Sequence, residues 1–341
     1  MIKLMTFNNS NILTVLIKLF IYKITLLWLF LTISCEQVST ENLNTISMDN
    51  EKPKIVVTTT HIRDLVEKIT GNRFQITSLM GPGVDPHIYK PTARDILAIS
   101  KADLVVFHGM MLEGKLSEVL SNAGKKDILT FDATAALPAE QIIFPDQHDG
   151  DEQHPDPHVW FDPKIWSTVA REFTKMISNF DPSGKNFYTQ NLKLFIDEIL
   201  LIENWATAQM DNIPPSQKKL VTSHDAFQYF GRAMGLEVVA LQGMSTTTEA
   251  GLGDRASLVD LIKQQNIPSI FIETSVNPGA IEEIAKECGV TVGGELFSDA
   301  LGPKNHHSIG PNNKLFKANT WSGMMVHNVS TIVKALSQKP L

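Results

Sequence analysis

Lys185–Met210 runs for 26 positions without a proline or a glycine, and this stretch limits what the 341-residue chain can fold into more than any other. Tyr188, Leu192, Phe195, Ile196, Ile199, Ile202 and Ala206 recur along it at helical spacing, which predicts one amphipathic rod about 39 Å long at roughly 1.5 Å per residue. Leu194, Leu201 and Trp205 form a second apolar stripe on roughly the opposite side, as expected of a rod packed against both of its neighbours. The run is entered through Asp181-Pro182-Ser183-Gly184 and stops before Pro214-Pro215. A rod of this kind joins two bodies stiffly, where flexible crossovers would make a hinge.

On either side of it, short β-type apolar runs alternate with runs of helical period, the pattern of an α/β protein with largely parallel strands. Residues 54–60, 74–80, 103–109 and 128–134 read as strands, with helices over 62–70, 92–101 and 115–122. A second series follows, with strands over 219–224, 236–243, 269–275 and 291–296 and helices over 226–234, 255–265, 279–287 and 320–337. The expectation is therefore two four-stranded α/β lobes joined by one long rigid helix. Their bounds are 54–182 for the amino-terminal lobe, 183–213 for the linking helix and 214–341 for the carboxy-terminal lobe.

The first residues suggest export. Residues 1–33 carry Lys3, Lys18 and Lys23 ahead of a short apolar stretch, then Ser34-Cys35, as in a secretory signal too short to read as a membrane span. Residues 1–35 are expected to be a lipoprotein signal peptide, with Cys35 lipidated and serving as the membrane anchor, and polar residues 36–53 a flexible tether. With Cys35 lipidated, Cys288 has no disulfide partner and is expected to be a buried structural thiol. The net charge of −7 provides no basic surface for nucleic acid.

Three segments place a histidine beside a hydrophobic run: Asp85-Pro86-His87, Asp156-Pro157-His158 and Ser223-His224-Asp225. A fourth apolar run ends at Asp299 within Glu295-Leu296-Phe297-Ser298-Asp299-Ala300. In open α/β sheets ligands bind outside the carboxyl ends of strands. The two Asp-Pro-His tripeptides are expected in loops that follow strands, His224 at a strand end before a helix opening at Asp225, and Asp299 in the matching place, where its bland alternative is a helix cap. Three imidazoles and a carboxylate, two from each half, are a ligand set for a first-row divalent cation, with zinc the first candidate.

Other polar residues carry weaker expectations. Asp85 reads as a turn former, and Glu249 and Glu273 as carboxylates able to orient a ligand histidine through its far ring nitrogen. His61 is a candidate to line the crevice, His108 ends a strand where it could support a ligand from behind, His306 and His307 are a loop pair, and His327 a packing residue. The polar loop 146–155, with His148 and His154, reads as a solvated insertion or a weak metal-collecting flap.

These residues carry a resemblance. Leu79-Met80-Gly81-Pro82-Gly83-Val84-Asp85-Pro86-His87-Ile88-Tyr89, Ala102-Asp103-Leu104-Val105-Val106 with Gly109 and Leu112-Glu113-Gly114, then residues 156–162, 223–230 and 293–301, occur in the order typical of one family. The chain resembles the cluster A-I zinc- and manganese-binding solute-binding lipoproteins of bacterial ABC importers, from about residue 55 to the last helix. The resemblance implies His87, His158, His224 and Asp299 as ligands of a transported Zn²⁺, with Mn²⁺ the alternative. It also implies a cognate permease and ATPase, an extracytoplasmic, lipid-anchored monomer, and no catalysis. Histidine at 224, where manganese carriers of the family have glutamate, favours zinc or both metals. The chain departs from many zinc-specific relatives in lacking a long histidine-rich loop, and in having His61, and Trp321 where tyrosine is usual. A zinc hydrolase is the competing class, disfavoured because four ligands close the shell and no His-Glu-x-x-His helix supplies a base. A third reading is a surface adhesin in which metal only staples the lobes together.

Overall fold

A computed structural model describes residues 52–124, 128–144 and 154–337. The expected signal peptide, almost all of the tether, Cys35, His148 and most of the polar loop lie outside the described residues. Among those described, no helix is long and apolar enough to cross a membrane.

The first series is β1 (Lys54–Val57), α1 (Thr60–Thr70), β2 (Gln75–Ser78), α2 (Ala93–Ser100), β3 (Leu104–Phe107), α3 (Leu116–Gly124) and β4 (Leu129–Asp132). All four strands are parallel in the order β2-β1-β3-β4, with Ile55 registered against both Ile76 and Leu104. Such a sheet needs both faces covered, which explains why Val56 and Val105 face one apolar core under α2 and α3 while Ile55, Val57, Leu104 and Val106 face another. Thr59 caps α1 by accepting from Ile62 N, and Thr92 and Asp95 form a reciprocal capping box on α2.

Next come α4 (Pro163–Phe180) and α5 (Lys185–Met210). The 18-residue α4 has no counterpart in the sequence expectation. It is locally encoded: Asp162 accepts from Lys164 N and Ile165 N, Pro163 opens the first turn, and Ile165, Trp166, Val169, Ala170, Phe173 and Ile177 form its buried stripe. The rod α5 has the expected bounds and buries Tyr188, Phe195, Ile199, Ile202 and Ala206. Its second stripe differs from expectation. Leu194 is 67% exposed and Leu201 38%, and only Trp205 of that set packs on the core, because α1, α4 and α9 (Trp321–Leu336) all gather on the other side. Lys68 to Glu198 (2.7 Å) and Arg73 to Asp181 (2.6 Å) tie the first lobe to α5 and to the turn that enters it.

The second series contains β5 (Lys219–His224), α6 (Gln228–Met234), β6 (Glu237–Gln242), α7 (Leu252–Gln264), β7 (Ser269–Glu273), α8 (Gly279–Cys288), β8 (Thr291–Leu296), a hairpin of β9 (His307–Ile309) and β10 (Leu315–Lys317), and α9. Its four parallel strands pair as two ladders, β5 with β6 and β7 with β8, while β5 runs beside β7. β8 carries a bulge at Gly293, opposite the step from Ile270 to Phe271. A methyl group on Gly293 would lie 2.7 Å from Ala335 of α9 and 2.8 Å from the Phe271 ring, so glycine is what lets the last helix seat on the sheet. Cys288 is half-buried against a separate apolar core formed by β5 to β7, α7 and α8. The hairpin was also unforeseen, its strands being only three residues each.

Candidate metal centre

The four residues singled out from the sequence come together at the carboxyl ends of the strands. His87, His158, His224 and Asp299 are all buried, and one potential donor atom from each lies within 4.8 Å of the others. His87 Nε2 is 3.3 Å from His158 Nε2, His158 Nε2 is 3.4 Å from Asp299 Oδ1, and His224 Nε2 is 3.3 Å from Asp299 Oδ2. Four donors at tetrahedral angles with bonds of about 2.0–2.1 Å would sit about 3.3–3.4 Å apart, so three contacts along the cluster already have that spacing. Among the described residues, His224 Nε2 and Asp299 Oδ1 have no hydrogen-bond partner, unusual for buried polar atoms.

Each ligand candidate is held from behind. The repeated Asp-Pro-His writes the same turn twice: Asp85 Oδ1 accepts from His87 N (2.8 Å) and Asp156 Oδ1 from His158 N (2.9 Å). Asp156 Oδ1 also lies 2.7 Å from His158 Nδ1, which turns Nε2 toward the cluster. His108 reaches the intervening Pro157 carbonyl with its Nε2 (2.6 Å). His158 was expected to follow a strand but does not directly do so; it heads a short 3-10 turn, Val159–Phe161, leading into α4. Glu113 holds the neighbouring loop, accepting from Thr58 Oγ1 (2.8 Å) and His108 N (2.6 Å). The next residue, Gly114, has φ +44°, and a Cβ there would lie 2.2 Å from the His87 carbonyl oxygen.

In the second half His224 ends β5, and α6 begins only at Gln228. Glu273 at the end of β7 reaches across to the end of β5: its Oε1 accepts from the amides of Ser223 and His224, both at 2.9 Å, and its Oε2 lies 2.6 Å from His224 Nδ1. Asp299 lies in a bend with no helix after it, so it caps nothing, and Ser275 donates to its Oδ2 at 3.2 Å. The roles of Ser275 and Glu113 were not read from the sequence, where Ser275 ends an expected strand and Glu113 is one acid in a loop.

Burial and charge divide the imidazoles. Burial, opposed by Asp299, lowers His87 to about 3. Burial also pulls on His158, but Asp156 and Asp299 outweigh it and push it up to about 9. For His224 burial is likewise overcome, and Glu273 and Asp299 hold it well above its ordinary value. Burial would raise Asp299, yet His224 and His158 hold it well below the usual carboxylate range.

The remaining candidates lie elsewhere. His61 is buried and stacks on Trp160 with ring centroids 4.3 Å apart, and both its ring nitrogens lack hydrogen bonds among the described residues. His327 accepts or donates at Nδ1 with His306 Nε2 (3.1 Å) and bonds the Glu295 carbonyl through Nε2 (2.8 Å), away from the cluster. His307, His154 and Glu249 are exposed. Trp321 is a structural tie, its amide on Asp64 (2.8 Å) and its indole on the Trp160 carbonyl (2.7 Å).

Comparison with known proteins gives the chain a family. The family model of ZnuA, zinc-uptake complex component A, periplasmic, matches residues 55–335. The manganese-binding lipoprotein MntA of Bacillus subtilis is 37% identical over 84% of this chain and 90% of its own length. The zinc-binding protein TroA of Treponema pallidum is 36% identical over 84% of this chain and 90% of its own length. A solved structure of the periplasmic zinc-binding protein TroA superposes with a TM-score of 0.77 at 34% identity, covering 84% of this chain and all (100%) of that one.

Proposed function

This chain belongs to the ZnuA family of periplasmic metal-uptake components, and we propose on that premise that it captures one Zn²⁺ outside the cytoplasm and hands it to a membrane permease driven by an ATPase. It is a substrate-binding protein of a metal ABC transporter, and proteins of this family are metal-binding transport components, not enzymes. The observation that carries the proposal is the buried cluster of three imidazoles and one carboxylate with donor spacings of 3.3–3.4 Å. His87, His158, His224 and Asp299 are its proposed ligands, and four of them close the shell that a hydrolytic zinc would leave open to water. Zinc exceeds manganese in affinity at such nitrogen-rich sites. A lipid on Cys35 is the proposed anchor.

The second reading is manganese as cargo, favoured by the likeness to MntA. Metal analysis of the chain purified from its native envelope, with no metal added, distinguishes the two. One zinc per chain is expected; one manganese per chain refutes the zinc assignment. A purely structural metal is tested by chelation, after which a carrier keeps its far-ultraviolet circular dichroism and a stapled fold loses it.

A further inference from the structure

Several ties between the two halves join elements of the main core. Tyr229 OH donates to the Asp156 carbonyl (3.1 Å), Arg232 pairs with Asp162 (3.1 Å), and Trp321 reaches Asp64 and Trp160, all from elements whose apolar residues belong to the main core. The outer part of the second half has a core of its own, built around Val221, Leu241, Leu258, Ile262, Ile270 and Ile284. That block therefore packs largely on itself.

The loop from Gly243 to Gly251, which joins β6 to α7 on this outer block, crosses to the first half. Its base is fixed beside one proposed ligand, the Gly243 carbonyl accepting from Asp225 N (3.3 Å), next to His224. Its far end is anchored in the outer core through Ala250. Between them, Thr246 Oγ1 donates to Asp85 Oδ2 at 2.5 Å, and the other oxygen of that carboxylate forms the turn that holds His87. Asp85 is buried and Thr246 half-buried, while Ser245, Thr247, Thr248 and Glu249 face solvent. A hydrogen bond to a carboxylate shielded from water is among the stronger ones a side chain makes.

We infer that Thr246 is the latch of the cleft: by holding the turn of His87 to the block beside His224, its hydroxyl keeps the halves together over bound metal and sets how fast the metal leaves. This rests on the metal-carrier reading. Among the described residues Thr246 makes its side-chain hydrogen bond to Asp85 and to no proposed ligand, so it acts as a positioning residue, and its removal changes the release rate far more than the capture rate.

The test uses the full chain loaded with Zn²⁺, and separately with Mn²⁺, and follows metal loss to excess EDTA in a stopped-flow instrument. Thr246→Val keeps the shape and removes the hydroxyl; release should quicken about tenfold, with Thr246→Ser close to the parent. Hydrogen exchange of the metal-free chains gives a readout independent of loading: residues 243–251 and 83–89 should both exchange faster in Thr246→Val. Release within twofold of the parent, or Thr246→Ser as fast as Thr246→Val, overturns the latch while leaving the carrier reading intact. A parent chain that takes up neither metal in stoichiometric amount overturns the carrier reading itself, and the latch with it.

Discussion

Loading the site at neutral pH should expel about two protons for each divalent ion. In the metal-free chain His158 is pushed up to about 9 and His224 held well above its ordinary value, so both carry a proton at pH 7, whereas His87, lowered to about 3, does not. A metal bond needs the neutral ring, so both protons must leave, and the two charges of the ion replace theirs beside Asp156, Glu273 and Asp299. The sign follows: both imidazoles are raised, so proton competition strengthens as pH falls, and apparent affinity should drop about 100-fold, or about 2.7 kcal/mol, from pH 7 to pH 6. Isothermal titration of the metal-free chain at pH 7, in buffers of different ionisation enthalpy, counts the protons directly. Replacing Asp156 by Asn should bring the count toward one, because Asp156 is the foremost group raising His158. A count near zero in the parent chain, or an affinity that is flat in pH, would refute the reasoning.

Three further outcomes are expected. Glu273→Gln should weaken zinc binding about 10–100-fold by loosening His224, measured by competition with a chromogenic chelator, while His327→Ala should leave it unchanged within a few-fold. Ile199→Ala on the buried face of α5 should cost about 2–5 kcal/mol in urea unfolding, and Leu194→Glu on the exposed face no more than about 0.5 kcal/mol; equal costs would reverse the assignment of the faces. Burial raises Glu113 from 4.5 to about 7 against the donors that face it, so the folded chain keeps a proton the unfolded chain has lost. The stability this contributes is complete below 4.5 and is lost as pH rises through 7, on the order of 3 kcal/mol; in thermal unfolding of metal-free chains, the parent's advantage over Glu113→Gln should shrink as pH rises across that window.

The sequence made the site legible because each candidate ligand stands beside a break in an apolar run, and the carboxyl ends of parallel strands converge. It made the rod legible because no residue in Lys185–Met210 can break it. The second stripe of that rod misled because period records which residues share a face but not whether anything lies against it; Lys193 and Asp197, which pair across one turn beside Leu194, mark a wet face. Helix α4 was hidden by its own cap, Asp162-Pro163, which reads as the end of the histidine motif when it is in fact the start of a helix. The β9–β10 hairpin turns through Pro311-Asn312-Asn313, but strands of three residues carry too little alternation to be seen. The contact from Thr246 to Asp85 joins residues 161 positions apart, and no local pattern announces it.

Glu273 leaves selection little freedom on one side of the site. The same carboxylate joins the ends of two strands and steers an imidazole, so any shorter or apolar residue there would strand two buried amides as well as free the ring. His158 is steered by Asp156 from a loop, where a change disturbs no sheet. Asp156 should therefore tolerate replacement with less loss of fold than Glu273, whatever either change costs in metal affinity.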